Sequence, residues 1–167
     1  QFFTRAVDFG FSKSADETLR LWDREKILAD VVWVIRKFRP DVIVTRFSPE
    51  DGLTHGHHTA SAILAQEAFK AAADPNRFPE QLKWAKPWQA TRLVWNTSPF
   101  FFQNRNQAFD STGLTIVEAG GFAPLLGKAF TEIAAASLSM HKSQGVGSPP
   151  RRGERKEYFK LLAGPPI

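Results

Sequence analysis

The sequence predicts an α/β fold, a mostly parallel sheet flanked by helices. Three observations carry that expectation. A long stretch of helical apolar spacing stops at Pro40. The run Asp41-Val42-Ile43-Val44-Thr45-Arg46-Phe47 follows at once, and its β-branched apolar centre reads as a strand buried on both faces, as in a parallel sheet. After a short loop a second helical pattern runs from Ala60 to Ala73. Helix, tight turn, strand, loop and helix in that order is an α/β rhythm.

The first helix opens on a capping box, Ser14 with Glu17 three residues later. Leu21, Leu28, Val31, Val32, Ile35 and Phe38 recur near helical spacing and define its buried face, which Trp22 and Trp33 extend. Pro40 ends it, because the residue before a proline avoids the α region. In the second helix Ile63, Leu64, Ala68 and Phe69 are apolar, and Asp74-Pro75-Asn76 stops it. A proline-punctuated loop then reaches Pro87. Strands are expected at Arg92 to Asn96 and at Leu114 to Glu118, with a turn at Gly120-Gly121. Between these strands residues 97 to 113 read as irregular, with Phe100-Phe101-Phe102 among them. A last helix is expected from about Leu125 to Gln144, with His141 on its apolar side. After Gly145 the composition shifts to Gly, Ser, Pro and Arg, so residues 1–147 read as domain and 148–167 as an extended tail or linker.

Composition narrows the function classes. The 167 residues suit one core, with 43% hydrophobic and 23% charged residues. With no cysteine, disulfides and thiolate metal sites are excluded. No apolar run approaches the length of a membrane span, and the first residues show no signal-peptide pattern. The net charge of +5 owes much to Arg151-Arg152-Gly153-Glu154-Arg155-Lys156-Glu157, where acids interrupt the bases. No aromatic residues interleave with that run, so it reads as a solvated segment, not a nucleic-acid surface. There is no Gly-x-Ser-x-Gly elbow and no phosphate-binding glycine loop.

The chemistry concentrates in Thr54-His55-Gly56-His57-His58-Thr59, which holds three of the four histidines. It lies between the strand ending near Phe47 and the helix beginning near Ala60, where open α/β sheets bind ligands. Imidazoles there bind metals or move protons. His55 and His58 are three apart; in a helix they would share a face and could ligate one metal, whereas in a loop one could bind metal and the other face substrate. His57 would point elsewhere. Arg46, Glu50 and Asp51 lie just upstream, and Asp51 could orient a histidine. A catalytic zinc takes three protein ligands, and the chain offers no complete set.

The stretch Arg39-Pro40-Asp41-Val42-Ile43-Val44-Thr45-Arg46, the loop, and His55-Gly56-His57-His58 together resemble the PIG-L/LmbE-type zinc-dependent de-N-acetylases. Ser139-Met140-His141-Lys142-Ser143-Gln144 is similar to the late His-x-Ser-Gln of such domains, so the resemblance runs from about residue 14 to 144. It implies a Rossmann-like fold and removal of an acetyl group from the amide nitrogen of an N-acetylglucosaminyl or related sugar-like substrate. It implies His58 as a zinc ligand and His55 as the group that polarises the carbonyl or stabilises the oxyanion. His57 stands where many members carry Asp; Arg46, Asp51, His57 and His141 are candidates for the pocket or for supporting contacts. The family's Ala-His-Pro-Asp-Asp motif, which supplies two further ligands and the base, does not occur in the chain. The resemblance therefore implies the C-terminal part of such a domain, incomplete at its N-terminus, with the other two ligands upstream of Gln1 or on another chain, and inactive alone. Oligomeric state and compartment are left open. The alternative is a non-catalytic carbohydrate-binding or scaffold domain of the same fold.

Overall fold

The computed structural model describes residues 1–50, 52–102 and 108–166, in two units: residues 1–113 with 160–167, and residues 114–159. The fold is mixed α/β.

The first unit begins with α1 (Ala15–Trp22) and α2 (Arg24–Phe38). Ser14 caps α1, its Oγ accepting from the Glu17 N–H at 3.2 Å. The return bond from Glu17 is made to the Lys13 N–H, at 2.9 Å, one residue earlier than a capping box requires. The single helix expected from the sequence is broken at Asp23, which adopts a left-handed conformation at φ 61°. The break shifts the helical phase. Leu19 and Ile27 are buried with Leu28, Val32 and Ile35, while Leu21 and Phe38, expected in the core, are 57% and 67% exposed. α2 closes at Arg39, also left-handed, whose N–H returns to the Ile35 carbonyl.

β1 (Val42–Thr45) follows, then α3 (Gly56–Ala71) and β2 (Arg92–Thr97). β1 and β2 pair in parallel, with Ile43 beside Leu93 and Thr45 beside Trp95. α3 lays Ala60, Leu64, Ala68 and Ala71 against the buried faces of α1 and α2. Its alanines let the backbones approach closely, so this three-helix contact is the main core. Phe69, Ala90 and Leu93 form a smaller cluster with Ile43, Leu162 and Ala163. The expectation that β1 is buried on both faces is corrected: Val42 and Val44 are 44% and 53% exposed. Side chains alternate along a strand, and within this unit α3 covers only the Ile43 side.

Arg36 is the largest fully buried side chain. Its guanidinium donates to the carbonyls of Ala71, Ala72, Asp74, Arg77 and Phe78 and to Gln81 Oε1. It thereby satisfies the carbonyl end of α3 and the turn that follows, and favours the negative pole of that helix. Burial pulls its pKa below the ordinary value, opposed by Glu80 and Asp74.

The second unit holds β3 (Thr115–Glu118), the short pair β4 (Phe122–Ala123) and β5 (Lys128–Ala129), and α4 (Phe130–Ser139). The final strand, β6 (Lys156–Ala163), is divided between the units. Its residues 156–159 pair antiparallel with β3, and residues 160–163 lie beside β2 in the first unit. The sheet is therefore mixed, not mostly parallel. The expected tail at 148–167 is corrected: it includes this strand, whose apolar residues Tyr158, Phe159, Leu161 and Leu162 follow directly on the charged run. The expected helix from Leu125 to Gln144 is shorter: Gly127 turns at φ 62° and α4 occupies only Phe130–Ser139. Of the basic run, Arg152 pairs with Glu132, Arg155 with Glu157 and Lys156 with Glu154. Among the described residues no helix is long and apolar enough to cross a membrane.

Candidate active site

The histidines stand where β1 hands over to α3. His55 is the N-cap residue of α3, and His57 and His58 lie in its first turn. The backbone there is fixed from outside the helix, because the Gly56 N–H donates to the Ser12 carbonyl at 3.0 Å. A Cβ on Gly56 would run into the Ser14 carbonyl and Ser12 Oγ, so only glycine permits this approach. Ser12 is itself buried and locked, bonding Thr18 Oγ1 at 2.6 Å and the Ser14 carbonyl at 2.9 Å.

The three-residue spacing brings His55 and His58 together, with ring centroids 3.7 Å apart. His58 also stacks flat on Phe47, at 3.6 Å and 3° between planes. The Phe47 ring meets Phe101, and Phe101 meets Trp95, so one arc of rings runs from His55 to the end of β2. His57 lies close by as well, its ring centroid 5.6 Å from that of His55. Its ring sits between Phe9 at 4.5 Å and Trp22 at 5.1 Å.

Electrostatics keep His58 uncharged. Burial pushes its pKa down, with His55 and His57 adding in the same direction, to about 4. A neutral imidazole is the form that accepts a proton or binds a metal. Among the described residues, two buried ring nitrogens, His55 Nδ1 and His57 Nε2, have no hydrogen-bond partner, an arrangement that costs about 1–3 kcal/mol for each.

Arg46 donates to the Asn96 carbonyl and side-chain oxygen at 3.1 and 2.6 Å, and its guanidinium lies 5.4 Å from the Phe101 ring centroid. It thus braces the loops after β1 and β2 and makes no bond to a histidine. Asp51 lies outside the described residues. His141 is corrected: it belongs to the second unit, follows α4 in a turn instead of riding its apolar side, and is exposed, with Nδ1 3.3 Å from Ser143 Oγ. Among the described residues no three His, Cys, Asp or Glu side chains gather where they could hold a metal. The sequence reading missed Phe9, Phe11 and Phe47 as packing around the imidazoles. The signal for Phe47 was its position two residues past the end of β1, on the approach to the histidine loop.

Three imidazoles thus cluster at a β–loop–α junction, the end of a strand at which open α/β sheets bind ligands. Particular relatives narrow the chemistry. No protein-family model matches the chain. A 1D-myo-inositol 2-acetamido-2-deoxy-alpha-D-glucopyranoside deacetylase of Streptomyces avermitilis is 34% identical over 77 residues, 46% of this chain and 25% of the relative. The deacetylase 2 of that name from Saccharopolyspora erythraea is 29% identical over 136 residues, 80% of this chain and 48% of the relative. A mycothiol S-conjugate amidase of Streptomyces coelicolor is 32% identical over 76 residues, 46% of this chain and 25% of the relative. The chain spans about half or less of the length of these curated relatives. By their names all three break a C–N amide or release an acyl group.

Proposed function

We propose that this chain carries the histidine half of a zinc-dependent amide hydrolase that deacetylates an N-acetylated amino sugar, on a Rossmann-like fold of the PIG-L/LmbE type. The observation that carries the reading is the His55–His58 pair at the end of β1, neutral at His58 and walled by aromatic rings. The names of the relatives support the same reaction.

In this reading His58 is a zinc ligand, and its depressed pKa leaves the ring free to bind metal at neutral pH. Among the described residues the side chains fit one such ligand and not a whole centre. We assign the remaining ligands, and the carboxylate that takes the water's proton, to residues outside this chain. A bound zinc would supply Lewis acidity and a water of lowered pKa. His55 would donate a hydrogen bond to the oxygen of the acetyl carbonyl as negative charge develops there. Its ring rests against that of His58, centroids 3.7 Å apart, which restrains it. Phe47 and Phe101 keep bulk water off the two imidazoles and strengthen such bonds.

The test is zinc content and deacetylation in the full-length protein and two variants. His58→Ala is expected to lose the metal. His55→Ala is expected to keep it and to lose roughly 10²–10³ in kcat, the cost of one oxyanion donor. Equal zinc and equal activity in both would sink the assignment. The second reading, a carbohydrate-binding domain without catalysis, is favoured by the lack of a three-ligand group among the described residues. Zinc-free full-length protein that still binds sugar would establish it.

A further inference from the structure

The second unit holds a groove that the histidine chemistry does not use. It measures ≈ 630 Å³ and lies between α4 and the irregular segment 148–155, wholly within residues 114–159. That volume is in the range of small-ligand sites. α4 supplies Phe130, Ala134, Ala135 and Leu138, which helical spacing puts on one side of the helix. No residue of α4 is buried, and Phe130 and Leu138 are 53% and 52% exposed. The alanines between them keep the floor low. The result is a trough along the helix, about 12 Å from Phe130 to Leu138 at 1.5 Å per residue.

The charged groups gather at one end of it. Thr131 Oγ1 donates to the Arg151 carbonyl, and Arg152 pairs with Glu132 at 2.9 Å, so residues 151 and 152 are tied to the first turn of α4. Leu138 stands two turns further on. Of the other charges lining the groove, Arg155 meets Glu157 at 2.9 Å and Glu154 meets Lys156 at 2.8 Å. Among the described residues Arg151 meets no acid, and it is exposed. The groove therefore carries one uncompensated guanidinium near Phe130 and an apolar trough leading away from it.

We propose that this groove binds a small aliphatic carboxylate, its head on Arg151 and its chain along α4 toward Leu138. A guanidinium forks onto a carboxylate through two parallel charge-assisted bonds, which a neutral alcohol cannot match. The ring, leucine and alanines of the floor offer a polar chain nothing to bond, whereas each methylene laid on them leaves water. The narrow floor suits an unbranched chain. The site goes beyond the hydrolase reading and does not depend on it.

The test is calorimetric titration of the full-length protein with hexanoate, octanoate and decanoate, and with octanol. Affinity is expected to rise about fourfold per added methylene. Octanol is expected to bind about tenfold more weakly than octanoate, for want of the charged bond. Arg151→Gln should bring octanoate down to the level of octanol. Ala134→Phe, at an exposed position, should fill the trough and abolish binding of both. No binding of octanoate, octanol equal to octanoate, or unchanged affinity in either variant would overturn the site. The wild-type protein alone carries the chain-length and head-group comparisons, so the test stands even where a variant folds poorly. An alternating Asp-Leu peptide that binds where octanoate does not would overturn the site in favour of an acidic protein partner. Dimers that Ala134→Phe abolishes, without octanoate binding, would overturn it in favour of a second copy.

Discussion

Replacing Arg36 with methionine tests how the histidine-bearing helix is held. Met keeps most of the side-chain length and apolar volume but removes every donor. Counting six lost bonds at the value for charged donors would give roughly 9–18 kcal/mol, more than a domain's entire stability. The structure shows why the sum overshoots. The carbonyls of Asp74, Arg77 and Phe78 are only partly buried, so water can replace the guanidinium there. The contacts to Ala71 and Ala72 are fully buried, though Ala72 still accepts from the Trp88 N–H and Ala71 from the Asp74 N–H. Two weakened buried acceptors at about 1–3 kcal/mol each, offset in part by the apolar packing of Met, give about 2–5 kcal/mol.

The assay is urea unfolding at pH 7, followed by tryptophan fluorescence. With a slope of about 2 kcal/mol/M, the midpoint should fall by roughly 2 M. Arg36→Lys should recover less than half of the loss, because one ammonium cannot reach carbonyls spread around a planar fork. A loss below about 1 kcal/mol in Arg36→Met would refute the claim that this guanidinium closes α3 onto α2.

Gly56→Ala should destabilise by about 1–3 kcal/mol in thermal unfolding, although Gly→Ala in a helix ordinarily stabilises, because the new methyl meets the Ser14 carbonyl and Ser12; a raised Tm would contradict the close approach. Arg5 grips Asp30 through its backbone N–H, Nε and Nη2, and that bonding holds the Asp30 carboxyl below its ordinary 3.8. A depressed folded pKa stabilises above the unfolded value and is lost as pH falls through the folded one, so Asp30→Asn should flatten part of the stability loss below about pH 4; identical acid curves would exclude it. Val44→Thr should change stability by less than about 0.5 kcal/mol, as befits an exposed position, while Ile43→Thr on the α3 side should cost well over 1 kcal/mol; equal costs would restore the doubly buried strand.

Elements with a local cause were legible. The stop at Pro40, the start of α1 at Ser14 and β2 from Arg92 each follow from residues at the boundary. What escaped depends on partners distant in sequence. The break at Asp23 breaks no rule of composition; it is accommodated because α1 and α2 each find α3. The exposure of Val42 and Val44 follows from which face α3 covers, a property of packing and not of the strand's own residues. The histidines were visible as a motif, but Phe47 stacked at 3.6 Å, with Phe9 and Trp22 on His57, needed the chain folded.

The supports of the site make its geometry a property of the first unit. α3 is pinned at its carboxyl end by Arg36 and at its amino end by the Gly56–Ser12 bond. The strands beside it are set by the parallel register that places Thr45 next to Trp95. With both ends of the helix fixed, His55 and His58 cannot move apart without breaking one of these contacts, and His58 stays in its desolvated place. A second group that must meet them therefore has to come to a preformed pair. That is the order expected if the imidazoles supply orientation and the remaining ligands complete the centre from elsewhere.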